Sequence, residues 1–197
     1  MKLSDAKKDY YRKLAKDKGY RSRSAYKLEQ MNDSYHIFRP SDRDIDLGCA
    51  PGGWLQITRK EVGSSGRVVG IDIQEVKPIE GATILRHDIG DHRIVDRILK
   101  VLNSKADVVL SDLAPNISGI WEIDHARQIS LARSAFAVAG KVLRKGGVAI
   151  FKVFEGDLLN EVKDDLNSNF HKVLLTKPGA SRQQSSELYF VCLKFRG

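Results

Sequence analysis

The nine residues Asp46-Leu47-Gly48-Cys49-Ala50-Pro51-Gly52-Gly53-Trp54 constrain this chain more than any other stretch. They follow a short hydrophobic approach, Ile45 between two acids, and precede a helical pattern over Leu55–Val62. An acid at a strand's carboxyl end, then a small-residue loop, then a helix is how an open α/β sheet makes a nucleotide-type pocket. Glycine serves there because a residue without Cβ lets backbone N–H groups turn inward and approach a ligand closely. The loop is not Gly-x-Gly-x-x-Gly, and it lacks the Gly-Lys-Ser/Thr ending of a phosphate-clamping loop. It offers a carboxylate and no lysine, which suits a ligand that is not a polyphosphate. S-adenosylmethionine (SAM), with its sulfonium and amino-acid tail, fits that description.

The rest of the chain alternates in kind. Residues 5–18 and Ser22 to about Tyr35 read as helices, the second with Ala25, Leu28 and Met31 at three-residue spacing. Strand patterns follow at Arg43–Leu47, Arg67–Ile73, Ala82–Arg86, Asp107–Leu110, Val148–Phe154, Lys172–Thr176 and Glu187–Phe195. Helical patterns lie between most of them, at Leu55–Val62, Arg93–Asn103, Glu122–Arg144 and Asp157–Asn167. The third is the clearest, with Ile123, Ala126, Ile129, Ala132, Ala135 and Ala139 on one face. Its expected end is Arg144-Lys145-Gly146-Gly147, cations at the negative pole of the dipole and then glycine. Seven strands with interposed helices predict a doubly wound α/β sheet, mostly parallel, with helices on both faces. The segment Lys177–Ser186 is too short for a parallel crossover, so the last two strands are expected to pair antiparallel at one edge. No repeat or linker divides residues 1–197, which predicts a single domain.

Charge is distributed unevenly. The first 27 residues carry ten basic and three acidic side chains, which accounts for +7 of the net +8. Four of the six tyrosines, Tyr10, Tyr11, Tyr20 and Tyr26, fall in the same leader. Cations interleaved with rings can neutralise phosphates and stack on bases; a solvated helix face with tyrosines packed inward is the alternative. Beside a nucleotide-type pocket, the leader points to RNA or DNA. No apolar run approaches the length of about 20 residues that a membrane span requires. The amino terminus has no apolar core of a signal peptide. Cys49 and Cys192 are far apart and make no metal-ligand spacing, so no metal is expected. Both cysteines suit a reducing cytoplasm.

Several polar residues fall where strands end. Asp72 closes Val68-Val69-Gly70-Ile71-Asp72, about 20 residues past the glycine loop, where an acid accepts from the hydroxyls of an adenosine ribose. Asp88 follows the next strand, as an acceptor for an adenine amino group or as a cap for the helix beyond it. Ser111-Asp112-Leu113-Ala114-Pro115-Asn116 forms a loop at the sheet's carboxyl edge. Lys152 lies inside the apolar run Val148–Phe154, where an ammonium is costly unless paired. If their strands are neighbours, Asp112 and Lys152 can meet.

With these residues in place the chain resembles the FtsJ (RrmJ) ribosomal RNA 2′-O-methyltransferases, a Rossmann-like SAM-dependent family. The resemblance runs from Arg21-Ser22-Arg23-Ser24-Ala25-Tyr26-Lys27-Leu28 through Asp46–Trp54, Ser111–Asn116 and Phe151–Phe154 to Ser181-Arg182 and Ser185–Tyr189. It implies a catalytic set of Lys27, Asp112, Lys152 and Glu187. It implies SAM contacts at Gly52, Trp54, Asp72, Asp88 and Asp112, with Asp46, Gly48, Pro51 and Gly53 completing the cofactor loop. Cys49 departs from the alanine of many relatives but is compact enough not to threaten binding. The implied reaction is methylation of an RNA ribose 2′-oxygen, most simply a uridine of large-subunit ribosomal RNA, with Lys152 as base. The apolar strand and the second cation, Lys27, would both favour a neutral amine; Asp112 would orient Lys152, and Glu187 would hold Lys27. RNA contact is expected from the core and the leader, with no membrane and no obligate protein partner. Transfer RNA or a cap as substrate, and a non-catalytic ribosome-assembly factor, are the competing readings. A dehydrogenase is disfavoured by the missing third glycine and by Pro51.

Overall fold

The computed structural model describes residues 3–182 and 184–197, with side chains from residue 10 onward. Its elements in chain order are α1 (Leu3–Asp17), α2 (Ala25–Tyr35), β1 (Arg43–Leu47), α3 (Gly53–Val62), β2 (Arg67–Asp72), β3 (Ala82–Arg86) and α4 (Ile94–Leu102). They continue with β4 (Ala106–Ser111), α5 (Trp121–Val142), β5 (Leu143–Phe154), α6 (Leu159–Asn169), β6 (Phe170–Thr176) and β7 (Glu187–Phe195). The seven strands form one sheet in the order β3-β2-β1-β4-β5-β7-β6. The first five pair parallel, and β7 enters antiparallel between β5 and β6. The short 177–186 connection thus produces the antiparallel pairing expected at that edge, with β6 outermost.

Period-two alternation divides the core. Ile45, Leu47, Val109, Ala149, Phe151, Val153 and Phe190 share a cluster with α4, α5 and α6 residues on one face. Val108, Leu110, Ile150, Tyr189 and Val191 face the other way, onto Leu28, Trp54 and Ile57 of α2 and α3. Each large apolar side chain buried in this way stabilises the fold by about 1.5–3 kcal/mol. The Asp residues of β1 alternate with its apolar ones, so Asp44 and Asp46 point to the α2/α3 side.

Two expectations change. The long helix stops at Val142, and the strand begins at Leu143 rather than Val148. Leu143 is buried opposite Ala106, and pairing resumes at Val148 opposite Val108, so Arg144–Gly147 bulges out of the strand. Arg144 pairs with Asp107 of β4 instead of capping the helix dipole. Burial of Leu143 and this ion pair outweigh the local helix-stop signal. In the leader, the rings of Tyr11 and Tyr20 pack against Tyr26, with centroids 5.4 and 5.5 Å away, over Ala15 and Ala180. Three of the four leader tyrosines therefore hold α1 to the body, and Tyr10 alone of the four is exposed. The side chains of Lys2, Lys7 and Lys8 lie outside the described residues.

The chain leaves β1 toward β2 and β3 on one side, and β4 and β5 fill the other. The strand order therefore reverses between β1 and β4. Parallel sheets open a crevice at the carboxyl ends of the strands at such a point.

Candidate active site

The glycine loop hangs from the end of β2. Gly48 N and Cys49 N donate to Ile71 O, and Ala50 N donates to an Asp72 carboxylate oxygen at 2.9 Å. The other Asp72 oxygen accepts from Gln74 N at 2.8 Å, so this half-buried acid shapes two loops at once. Gly48 has φ +79°, and a Cβ there would come within 2.6 Å of Leu113 in the loop after β4. A Cβ on Gly53 would strike Ser22 Oγ at 2.2 Å. These glycines admit the protein's own neighbouring segments, so the crevice closes tightly. Gly52 is the N-cap of α3 and gives no side-chain cap, leaving the first-turn N–H groups of that helix without a side-chain partner among the described residues.

The predicted cofactor residues differ in what surrounds them. Pro51 is exposed, and its carbonyl accepts from Arg21, whose guanidinium also reaches the carbonyls of Lys77 and Pro78 at 2.6 and 2.7 Å. Arg21 thereby staples the glycine loop to the segment after β2, a role invisible in the sequence. Trp54 is buried; its indole N–H donates to Ser24 O at 2.9 Å, and its ring lies 5.8 Å from that of Tyr189. Its side chain supports the start of α2 and the floor of the site. Asp88 is exposed and accepts from Gly90 N at 2.8 Å, a turn within the β3–α4 connection. Asp46 is buried at the end of β1, and neither carboxylate oxygen has a hydrogen-bond partner among the described residues. Burial, then the charges of Asp112 and Asp72, push its carboxyl well above the usual range.

Lys27, Asp112, Lys152 and Glu187 come from α2, the end of β4, β5 and the start of β7, and the fold brings all four together. Lys152 Nζ donates to the Asp112 carbonyl at 2.6 Å and lies 3.1 Å from Asp112 Oδ1. Lys27 Nζ lies 2.8 Å from Glu187 Oε2. Glu187 Oε1 is 3.9 Å from Lys152, so this carboxylate stands between the two lysines. Burial alone would raise the Glu187 carboxyl, but Lys27, and then Lys152 and Ser185, hold it below its ordinary value.

One member was missed. The Tyr189 hydroxyl accepts from Lys27 Nζ at 3.1 Å and donates to Asp112 Oδ1 at 2.8 Å, joining the two ion pairs into one network. Burial, then Asp112 and Glu187, raise this phenol well above its ordinary value, so it remains a donor. Tyr189 lies two residues past Glu187 on the same strand face and directly opposite Lys152 in the β5–β7 register. The first of these was a readable signal. Gln128 of α5 was missed too: its amide donates to Lys152 O and Leu113 O at 2.9 and 3.1 Å, pinning β5 to the loop after β4.

Beside this network lies a cleft of about 640 Å³, with Glu187, Arg23, Arg182 and Trp121 among its lining residues.

A mostly parallel sheet with a glycine loop at its switch point has the architecture of the Rossmann-like class. The model of the FtsJ-like methyltransferase family matches residues 20–195, and this chain belongs to that family. Ribosomal RNA large subunit methyltransferase E of Nitrosopumilus maritimus is 51% identical over 197 residues, the full length of both chains. The protein of the same name from Cenarchaeum symbiosum is 46% identical, again over both full lengths. Among solved structures, a Plasmodium falciparum protein described as a ribosomal RNA methyltransferase superposes with TM-score 0.82 at 29% identity. That match covers 90% of this chain and all of that one.

Proposed function

We propose that this protein is a SAM-dependent 2′-O-ribose methyltransferase of large-subunit ribosomal RNA. The observation that carries the reading is the continuous network Lys152–Asp112–Tyr189–Lys27–Glu187 beside the glycine loop. The residues present fit SAM. The uncapped first turn of α3 suits a carboxylate tail. Asp72 keeps lone pairs for ribose hydroxyls after binding the two loop N–H groups. Asp88, exposed beyond β3, is placed for a base amino group. Asp46 brings a buried carboxyl group with no partner among the described residues to the same crevice. When bound, SAM supplies an electrophilic methyl group on a positive sulfonium.

The chain's own residues then prepare the acceptor. A ribose 2′-hydroxyl is a poor nucleophile unless a base takes its proton as the new bond forms. Lys152 as a neutral amine keeps two N–H donors for the Asp112 carbonyl and carboxylate, which leaves its lone pair for the hydroxyl proton. The ammonium formed is held by those same two acceptors. Lys27, fixed by Glu187 and Tyr189, positions the ribose with its remaining donor capacity. The test is transfer of labelled methyl groups to large-subunit ribosomal RNA, with modified riboses mapped and transfer RNA run in parallel. Labelling of transfer RNA alone would replace the substrate assignment, and no labelling of either would remove the function.

A further inference from the structure

The cleft lined by Glu187 also has apolar lining, Ile117, Trp121 and Phe154, that the reaction described above leaves without a role. Trp121, the first residue of α5, is 46% exposed, and exposed Ile117 and Ile120 lie beside it on the loop after β4. The loop is not slack. The Asp124 carboxylate accepts from Ser118 N, Ser118 Oγ and Gly119 N at 2.7–3.0 Å, and these bonds hold that acid below its ordinary value, Ser118 foremost. The indole is also held in place, stacked within 20° of parallel on His125 and on Phe154, with centroids 5.7 and 6.1 Å away. Its remaining surface opens onto the cleft.

The same cleft also carries cations. Arg23 and Arg182 line it, and both also line a neighbouring cleft of about 430 Å³ together with Arg12, Lys16 and Arg21. Burial, and then the Arg182 charge, disfavour the Arg23 cation, so an anion bound beside Arg23 would relieve it. A rigid ring, two guanidinium groups and the Glu187 carboxylate lining one cleft match the chemistry of one polymer. Single-stranded nucleic acid presents a π-face, a phosphate and a ribose at that scale.

We propose that Trp121 is a stacking platform for an RNA nucleobase adjacent to the ribose held at Lys27 and Glu187, with the intervening phosphate bound by Arg23 and Arg182. This rests on the RNA methyltransferase reading above. The experiment compares the wild type with Trp121→Ala, Trp121→Leu and Trp121→Phe on protein-free large-subunit RNA and on assembled subunits. KM for RNA, kcat, SAM affinity and melting temperature are measured for each. Stacking predicts that Ala and Leu raise KM for RNA about tenfold, while Phe stays within about threefold. SAM affinity and kcat stay near wild type. Leu retains apolar packing on His125 and Phe154 but offers no π-face, so it decides the matter if the Ala variant fails to fold.

RNA should also quench the wild-type tryptophan emission, and Trp121→Phe should abolish the quenching, because the chain's other tryptophan, Trp54, is 3% exposed. That signal needs no turnover. If the wild type methylates nothing yet RNA still quenches Trp121, the function falls and the platform stands. Unchanged KM in both Ala and Leu, with wild-type methylation intact, overturns the platform. A defect confined to assembled subunits also overturns it, since the patch would then dock a protein.

Discussion

Asp46 and Asp112 close neighbouring parallel strands on the same face of the sheet, yet the protein treats them in opposite ways. Asp112 is met by Lys152 and Tyr189, and Glu187 beside it is met by Lys27, so this half of the site is electrostatically complete within the chain. Asp46 is more deeply buried and has no partner among the described residues. The acceptor half is thus preorganised, in the manner that favours catalysis by fixed dipoles and charges. The donor half holds a carboxylate that burial disfavours, a local instability of the kind tolerated where a ligand binds.

The largest effect expected from this contrast is at Lys152. Lys152→Ala should lower methyl transfer by about 10²–10⁴-fold while SAM affinity, measured by calorimetry, stays near wild type. Wild-type turnover in that variant would remove Lys152 as the base and separate the two halves differently.

Tyr189→Phe should come next. It deletes the link between the two ion pairs and should destabilise the protein by about 1.5–3 kcal/mol, because both lost hydrogen bonds go to charged groups. Turnover should fall even at low temperature, where the variant remains folded. A chemical denaturation curve that superposes on wild type would mean that the two pairs are independent.

The donor half predicts a gain. Asp46→Asn removes a group whose charged form burial disfavours, so it should stabilise the protein at neutral pH and weaken SAM binding. Asp44, also buried without a partner among the described residues and also raised by burial and then by Asp42 and Asp107, supplies the control. Asp44→Asn should stabilise likewise and leave SAM binding alone. The signs follow from linkage. A carboxyl raised on folding favours the native state fully below its unfolded value and loses that stability as pH rises, so both gains should appear above about pH 4 and grow until the folded value is passed. Glu187 is held low and behaves in reverse. Its contribution is present above its unfolded value and is lost as pH falls, so Glu187→Gln should flatten the acid limb of the stability profile. Opposite pH trends for Asp46→Asn and Glu187→Gln would sharpen the comparison, and parallel trends would break it.

The smallest effect belongs to the leader. Neutralising Lys7, Lys8, Arg12 and Lys13 together should make RNA affinity less salt-dependent, by about 0.7–0.9 in log–log slope for each phosphate that the leader no longer neutralises. An unchanged slope would place the RNA backbone on Arg23 and Arg182 alone.

The sequence disclosed much of this arrangement, but unevenly. All seven strands were legible because alternation and loop signals are local properties. The start of β5 was not, because Arg144-Lys145-Gly146-Gly147 is a sound helix-stop signal that an ion pair to Asp107, 37 residues earlier, overrules. Lys27, Asp112, Lys152 and Glu187 were legible through their motifs. Tyr189 was not, although its spacing from Glu187 placed it on the right face. Nothing local says that a strand tyrosine will find a lysine 162 residues away. The leader's tyrosines carried the misleading signal: interleaved with cations they resembled a base-stacking surface, and three of them proved to be packing. The exposed ring suited to stacking is Trp121, which the sequence placed just outside an amphipathic helix.

The order of elements, the glycine loop and the charge of the leader are written along the chain, because each depends on residues within a few positions of one another. The meeting of Lys27, Asp112, Lys152 and Glu187 depends on strand order, and so on hydrogen bonds between segments up to 160 residues apart. Which carboxylate finds a partner and which remains alone is decided there. Asp46 and Asp112 are alike in type and in position at a strand's end, and only the placing of β5 and β7 beside one of them supplies the lysine and the tyrosine that make the difference.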